Sequence, residues 1–413
     1  MKWSTAMLSG DTRNRFSFTG LDSIISLAIV SVVVSLSGHL LAVALQLPAR
    51  VTAVTFLDSH AVASDAGQVL AAPHWTTGAS HPVCYTRRAR PHLAVTLHTA
   101  PNFSGKTAIV AASADNGLQF YGTGCATGSS LVITRMTADR KLANAVTRYD
   151  PLTIAWWVSF DDGRSFHGAG RTRHRLYVTF DEPGLQPLRE TLLDIGCRGA
   201  SGCRDASTTV AGVWRQFSQR NADGTLPGLH RVDGHLLRYW LDEYTPLASR
   251  VVNQCHSLNA MLAPDANHGI LEGVGTCQAW SELLESTLRA QGIRNVEVLS
   301  IVPPDLKTGF LINTLGFLGR HPPVIAQVIH GQGTPNPPYA FFNHSLVEVN
   351  GALYDPSYGN GPFTGPTLTE AVGAWETATV GALVRDEIYG MQTNRIVQPY
   401  LRDRVPAPIV AHL

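Results

Sequence analysis

Gly273-Val274-Gly275-Thr276-Cys277-Gln278-Ala279-Trp280-Ser281-Glu282-Leu283-Leu284-Glu285-Ser286-Thr287-Leu288-Arg289-Ala290-Gln291-Gly292-Ile293 is the stretch on which the fold of this chain turns. Ala279, Trp280, Leu283, Leu284, Thr287 and Leu288 recur at the spacing of an amphipathic helix, whose apolar stripe must find a core. Thr276 is placed to cap the start of that helix and Gly292 to close its end. Cys277 then falls in the first turn. Unpaired backbone N–H groups and the positive end of the helix dipole favour a thiolate there, and the thiolate is the nucleophilic form. The glycines before it let the chain approach closely and leave the sulfur reachable. A cysteine at a helix start is more often structural than reactive, so a base has to be found elsewhere.

Further along, Tyr339-Ala340-Phe341-Phe342-Asn343-His344-Ser345-Leu346-Val347-Glu348-Val349 and Ala352-Leu353-Tyr354-Asp355-Pro356 flank Asn350-Gly351. Asn-Gly between two strand-like runs is the strongest short hairpin signal. A two-residue turn there pairs Val349 with Ala352, Leu346 with Asp355 and His344 with Ser357. Side chains alternate along a strand, so His344 and Asp355 share one face as diagonal neighbours. Pro356 biases Asp355 toward an extended backbone. A cysteine nucleophile needs a partner that holds it as thiolate and later protonates the leaving amine, and histidine does both near neutral pH. A carboxylate on the second ring nitrogen fixes the tautomer and stabilises the imidazolium. Cys277 as nucleophile, His344 as base and Asp355 as orienting carboxylate are therefore the candidate catalytic residues. For a developing oxyanion the candidates are the Cys277 backbone N–H and the side chains of Asn253, Gln254 and Gln278. Asn343 and Asn102 open sequons, and Asn343, beside the base, is expected to stay unmodified.

A Gly-rich approach to Cys at a helix start, a helix ending in Leu-Arg-Ala-Gln-Gly-Ile, then Asn-His-Ser-Leu-Val-Glu-Val-Asn-Gly and Tyr-Asp-Pro resemble the transglutaminase-like superfamily over Leu247 to Gly359. The resemblance implies a papain-like α+β domain with Cys277 on a helix facing His344 and Asp355 on strands. The long segment between Ile293 and Tyr339 departs from the pattern and is expected to line or cover the cleft. The superfamily holds proteases, amidases, crosslinking enzymes and members that have lost activity, so the resemblance implies chemistry before substrate. The expectation is a cysteine-nucleophile hydrolase or acyltransferase acting on peptide or protein amides. The alternative is a catalytically inactive binding or scaffolding module. A third reading pairs Cys277 with Cys255 in a disulfide.

Outward from this region the pattern changes. Val210, Val213, Trp214 and Phe217 predict a helix near 208–221, and a further helix is expected over 247–262 with Cys255 on its apolar face. Between 82 and 185 short apolar runs alternate with turns, among them Asp161-Asp162-Gly163, as in a β-sandwich; Trp156 and Trp157 there are expected to pack in strands. Residues 48–81 read as a linker, and 186–413 as the transglutaminase-like domain. Residues 24–47 are apolar and uncharged, following a cytoplasmic 1–23 that holds Lys2, Arg13 and Arg15. They predict an exported protein, either anchored in the membrane with its catalytic domain outside the cytoplasm, or secreted after signal cleavage.

With 413 residues, a net charge of +1 and only 15% charged residues, no global field points to nucleic acid. The six cysteines form no zinc-like spacing and no HExxH occurs, so no metal or other cofactor is expected. Proximity in sequence suggests disulfides Cys84–Cys125 and Cys197–Cys203.

Overall fold

The computed structural model describes residues 48–239, 255–263, 273–302, 308–311, 330–334, 340–341, 343–379, 382–386, 397–400 and 409–412. The apolar 24–47 segment, the start of the expected 247–262 helix, Asn253, Gln254 and most of the segment between Ile293 and Tyr339 lie outside the described residues. The protein is mixed α+β, dominated by one large curled sheet.

Ten strands build that sheet: β1 (Ala49–Leu57), β3 (Trp75–Thr76), β4 (Ala79–Ser80), β5 (Val83–Thr86), β6 (His92–Thr99), β7 (Thr107–Ala114), β8 (Gln119–Thr127), β9 (Ser130–Ala138), β10 (Thr147–Ser159) and β11 (His167–Thr179). They run in the order β4-β3-β1-β6-β9-β8-β7-β10-β11-β5, antiparallel except for β11 beside β5. The ladder is continuous, so the two layers of the expected sandwich are one sheet curled until β1 packs against β11. Alternation explains the core: Leu93, Val95 and Leu97 of β6 point inward with Leu131 and Ile133 of β9, while their neighbours meet solvent. Gly122 and Gly124 allow the curl. A Cβ on either would lie within 2.9 Å of Ile133, Met136 or the Val132 carbonyl, and β8 leaves the β9 ladder between Tyr121 and Ala126. Trp156 is buried and donates from Nε1 to Thr172 Oγ1 at 2.9 Å, in keeping with a packing role. Asp162 and Gly163 have φ of 56° and 83°, as the β10–β11 hairpin requires.

Residues 48–81 are no linker, because they contribute β1, β3, β4 and β2 (Val62–Ala63), which pairs in parallel with β12 (Leu188–Arg189). The boundary expected near residue 185 is likewise bridged by packing. Helices α1 (Glu190–Gly199) and α2 (Ala206–Ser218) share one core with Val62, Cys84, Val146 and Tyr177 of the strand-rich half. Helix α2 begins and ends a little before its expected span, because Asp205 caps it by accepting from Thr208 N–H at 2.9 Å.

All six cysteines are free thiols, which corrects both expected disulfides and the Cys255–Cys277 pairing. Cys84 is buried beside Cys197, whereas Cys125 is exposed on β8, with β7, β10 and β11 between. Cys197 points into the core toward the Val178 carbonyl, and Cys203 lies past the end of α1 near Thr208 O. Cys255 is not on a helix. It bridges to Gly275, and the helix α3 (Leu258–Leu262) starts after it under a Ser257 cap.

Before α3 come β13 (Leu229–His230) and β14 (Leu236–Tyr239), and after it β15 (Val274–Gly275), the three forming one small sheet, followed by helix α4 (Cys277–Ala290). A five-stranded antiparallel sheet is ordered β21 (Asn360–Phe363), β20 (Ala352–Asp355), β19 (His344–Val349), β16 (Val296–Val302) and β24 (Ile409–His412). β17 (Thr308–Leu311), β18 (Ala340–Phe341), β22 (Ala382–Asp386) and β23 (Val397–Tyr400) form a further, four-stranded sheet. Helix α4 covers one face of the five-stranded sheet, where Leu283, Leu284 and Leu288 join the core of Val347, Val349 and Val296. Each such leucine contributes about 1.5–3 kcal/mol by burial. Helix α5 (Leu368–Thr379) covers the other face, where Trp375 and Val372 meet Leu346, Leu299 and Ile301. Among the described residues no helix is long and apolar enough to cross a membrane.

Candidate active site

The approach to Cys277 is fixed by glycines where side chains would not fit. Gly273 has φ +73°, and a Cβ there would meet His235 and the Leu236 carbonyl at 2.8 Å. A Cβ on Gly275 would lie 2.4 Å from Met261 Sδ. β15 is thereby pressed between β14 and the backbone of Cys255, which donates to Val274 O at 2.9 Å and accepts from Thr276 N–H at 3.0 Å. Thr276 stands at the N-cap position as expected, yet its hydroxyl makes no cap bond. Trp280 instead ties the helix start to β14 by donating from Nε1 to the Arg238 carbonyl at 3.1 Å. At the other end Gly292 closes the helix with φ +83°, and Ile293 N–H reaches back to Leu288 O at 3.1 Å.

His344 arrives on the hairpin. Asn350 and Gly351 have φ of 52° and 83°, and Val349 faces Ala352, Glu348 faces Leu353 and Val347 faces Tyr354, the register read from the sequence. Ser357 is not the ladder partner of His344, because β20 ends at Asp355 and the chain turns away. His344 and Asp355 are both fully buried, with His344 Nε2 3.0 Å from Asp355 Oδ2. Trp375 Nε1 donates to the same oxygen at 2.9 Å, and Tyr358 N–H reaches Oδ1 at 3.4 Å. The His344 ring stacks against Trp375 at 5.5 Å and against Tyr358 at 5.3 Å.

Half-buried Cys277 lies within hydrogen-bonding reach of His344 and of the backbone N–H and hydroxyl of Ser345. Nε2 is committed to Asp355, which leaves Nδ1 as the ring nitrogen turned to other neighbours. Burial pushes the thiol up, but the His344 hydrogen bond and charge, with the Ser345 donors, hold it below its ordinary value. Burial lowers His344, yet the Asp355 carboxylate and the Cys277 sulfur outweigh that and raise it. Opposite shifts on adjacent groups favour the thiolate–imidazolium pair over the neutral thiol and imidazole. Cys255 differs: burial alone pushes its thiol to about 11.

The structure brings together Cys277, His344 and Asp355. It leaves Gln278 apart, since its amide donates to Glu282 Oε1 at 3.0 Å. Sequence reasoning missed Ser345, Tyr358, Trp375 and Tyr239. Ser345 could have been found by its place beside His344, and Tyr358 by its backbone reach to a carboxylate three residues earlier. Trp375 carried no local signal. Among the described residues no three His, Cys, Asp or Glu side chains group as metal ligands. No protein-family model matches the chain, and no curated protein matches it.

Proposed function

We propose that this protein is a thiol enzyme whose nucleophile is Cys277, with His344 as general acid–base and Asp355 as its orienting partner. More narrowly, it is a transglutaminase-like acyl-transfer enzyme, an amidase, protease or crosslinking enzyme, acting on peptide or protein amides. The observation that carries this reading is the unbroken chain from the sulfur at a helix start, through one imidazole, to a buried carboxylate 3.0 Å away. Thiolate attack on the amide carbon gives a tetrahedral intermediate; the imidazolium then protonates the leaving amine as the C–N bond breaks. The resulting thioester passes its acyl group to water or to an amine, which His344 deprotonates. The Cys277 backbone N–H, at the first position of α4, is the donor this reading assigns to the developing oxyanion. Export, by an anchor or a cleaved signal at 24–47, belongs to the same proposal. The test is an acylation screen over peptide and peptidoglycan amides, with and without added amine. Turnover that Cys277→Ala abolishes supports an enzyme. Tight peptide binding with no turnover, and no preferential labelling of Cys277, supports the inactive scaffold.

A further inference from the structure

Trp156 and Trp157 are neighbours in β10 and go to opposite faces of the large sheet. Trp156 fills the core, whereas Trp157 is half-buried on the outer face and makes no hydrogen bond or ring contact among the described residues. The ladder surrounds it with very small neighbours. Trp157 faces Gly168 of β11 on one side and Ala111 of β7 on the other, and Ala111 in turn faces Tyr121 of β8. A Cβ on Gly168 or Gly170 would meet nothing within 4 Å, so the space beside the indole is open. Tyr121 is 59% exposed, and its hydroxyl donates along the strand to Gln119 Oε1 at 3.1 Å. Adjacent strands lie about 4.8 Å apart, so Trp157 and Tyr121 are separated by about 10 Å with one alanine between them. The next row of this face pairs Gln119 with Ser113, Ser113 with Ala155 and Ala155 with Arg171, and Thr153 beyond it pairs with Arg173. Arg171 and Arg173 are exposed, and neither forms an ion pair among the described residues, whereas Arg175 is held by Glu190. Asp115, two residues past Ser113, turns its carboxylate to the Thr153 N–H at 3.1 Å.

We infer that this outer face binds an acidic polysaccharide, with Trp157 and Tyr121 stacking on its sugar rings and Arg171 and Arg173 taking its carboxylates. Aromatic rings left open on a sheet of small residues mark an interaction surface rather than a packing one. The axial C–H bonds of a pyranose make a flat apolar face with positive hydrogens, which complements the negative face of an aromatic ring. Stacked partners sit about 4.5–7 Å apart, so two rings separated by about 10 Å cannot clasp one small planar ligand. They suit an extended chain laid across the strands, in which each ring meets a different sugar. Ala111, Ala155 and Ser113 keep the floor between them low. The two guanidiniums set the charge of the ligand, since an arginine fork binds a carboxylate through two parallel hydrogen bonds. This inference is independent of the thiol chemistry of Cys277.

The test is calorimetric titration of the full chain with polygalacturonate and with hyaluronate, against neutral dextran and oligothymidylate. Binding to at least one of the two acidic glycans, and none to dextran, is expected. Trp157→Ala should weaken it about tenfold and Tyr121→Ala about fivefold, because each removes one stacking surface. The double variant Arg171→Gln with Arg173→Gln should weaken it about tenfold at low salt and less at high salt, where the charge is already screened. Circular dichroism confirms folding. Should Trp157→Ala fail to fold, Tyr121→Ala decides, since its side chain is exposed and its truncation leaves the core intact. No binding to either acidic glycan would overturn the proposal, as would wild-type affinity in the folded aromatic variants. Loss in the arginine variant alone would reduce the face to a non-specific cationic patch, and equal affinity for dextran would remove the acidic class. Tighter binding of oligothymidylate that the same variants abolish would assign the platform to single-stranded nucleic acid instead.

Discussion

Asp355→Asn separates the charge of the triad from its hydrogen bonds. Oδ2 takes two good donors, from His344 at 3.0 Å and Trp375 at 2.9 Å, while Oδ1 takes only the 3.4 Å bond from Tyr358 N–H. An amide in the same place satisfies the two good donors with its oxygen and turns its NH2 toward the Tyr358 N–H, losing the longest bond. The His344 tautomer is thereby retained, and the negative charge is what disappears. Hydrogen bonds to charged groups contribute about 1.5–3 kcal/mol and neutral ones about 0.5–1.5 kcal/mol. The imidazolium therefore loses about 1–2 kcal/mol, which lowers the thiolate–imidazolium population about 5- to 30-fold. The assay is alkylation of Cys277 near pH 7 in wild type, Asp355→Asn and His344→Ala, with circular dichroism to confirm folding. His344→Ala is expected to lose more, since both the thiolate partner and the acid go. A wild-type rate in Asp355→Asn would remove the carboxylate charge from the mechanism. A loss as deep as that of His344→Ala would show that the amide sits inverted and traps the wrong tautomer.

Two stability predictions rest on the scaffold. His174 is buried against Phe56 and Trp75, and burial followed by His74 drives its pKa down to about 3. The unfolded chain binds that proton first, so stability is full above about 6.5 and is lost as pH falls toward 3, by about 2 kcal/mol near pH 5. In urea unfolding, His174→Phe should flatten the pH dependence between about pH 7 and 5 by that amount; parallel curves for the two proteins would refute the assignment. Gly292→Ala places a Cβ 2.7 Å from Asp181 at φ +83° and should destabilise by about 2–4 kcal/mol, from left-handed strain and overpacking together. An unchanged unfolding midpoint would show that the helix end yields without cost.

Much of the site could be read from local chemistry. Asn350-Gly351 fixes the hairpin register within a few residues, and that alone delivers His344 and Asp355 to one face. The stripe from Ala279 to Leu288 fixes the helix on whose first turn Cys277 sits. What escaped was set by packing between distant elements. Trp375 reaches Asp355 from a helix twenty residues later, and Tyr239 reaches the site through a parallel pairing with Gly275. β1 escaped for a different reason. Its register shifts between Val51 and Ala53, so inward residues run Ala49, Val51, then Val54 and Phe56, and the period-two signal breaks in the middle. The expected disulfides failed because nearness in sequence says nothing about which face of a strand or helix a thiol occupies.

The pleat of β19 assigns successive residues to different companions. His344 belongs with Trp375 and Asp355 on the α5 side, while Ser345 attends Cys277, which rides on α4. The His344–Asp355 link is thus internal to one body, and the His344–Cys277 link is a seam between two. A small slide of α4 over the sheet would stretch the sulfur–imidazole contact and leave the imidazole–carboxylate contact untouched.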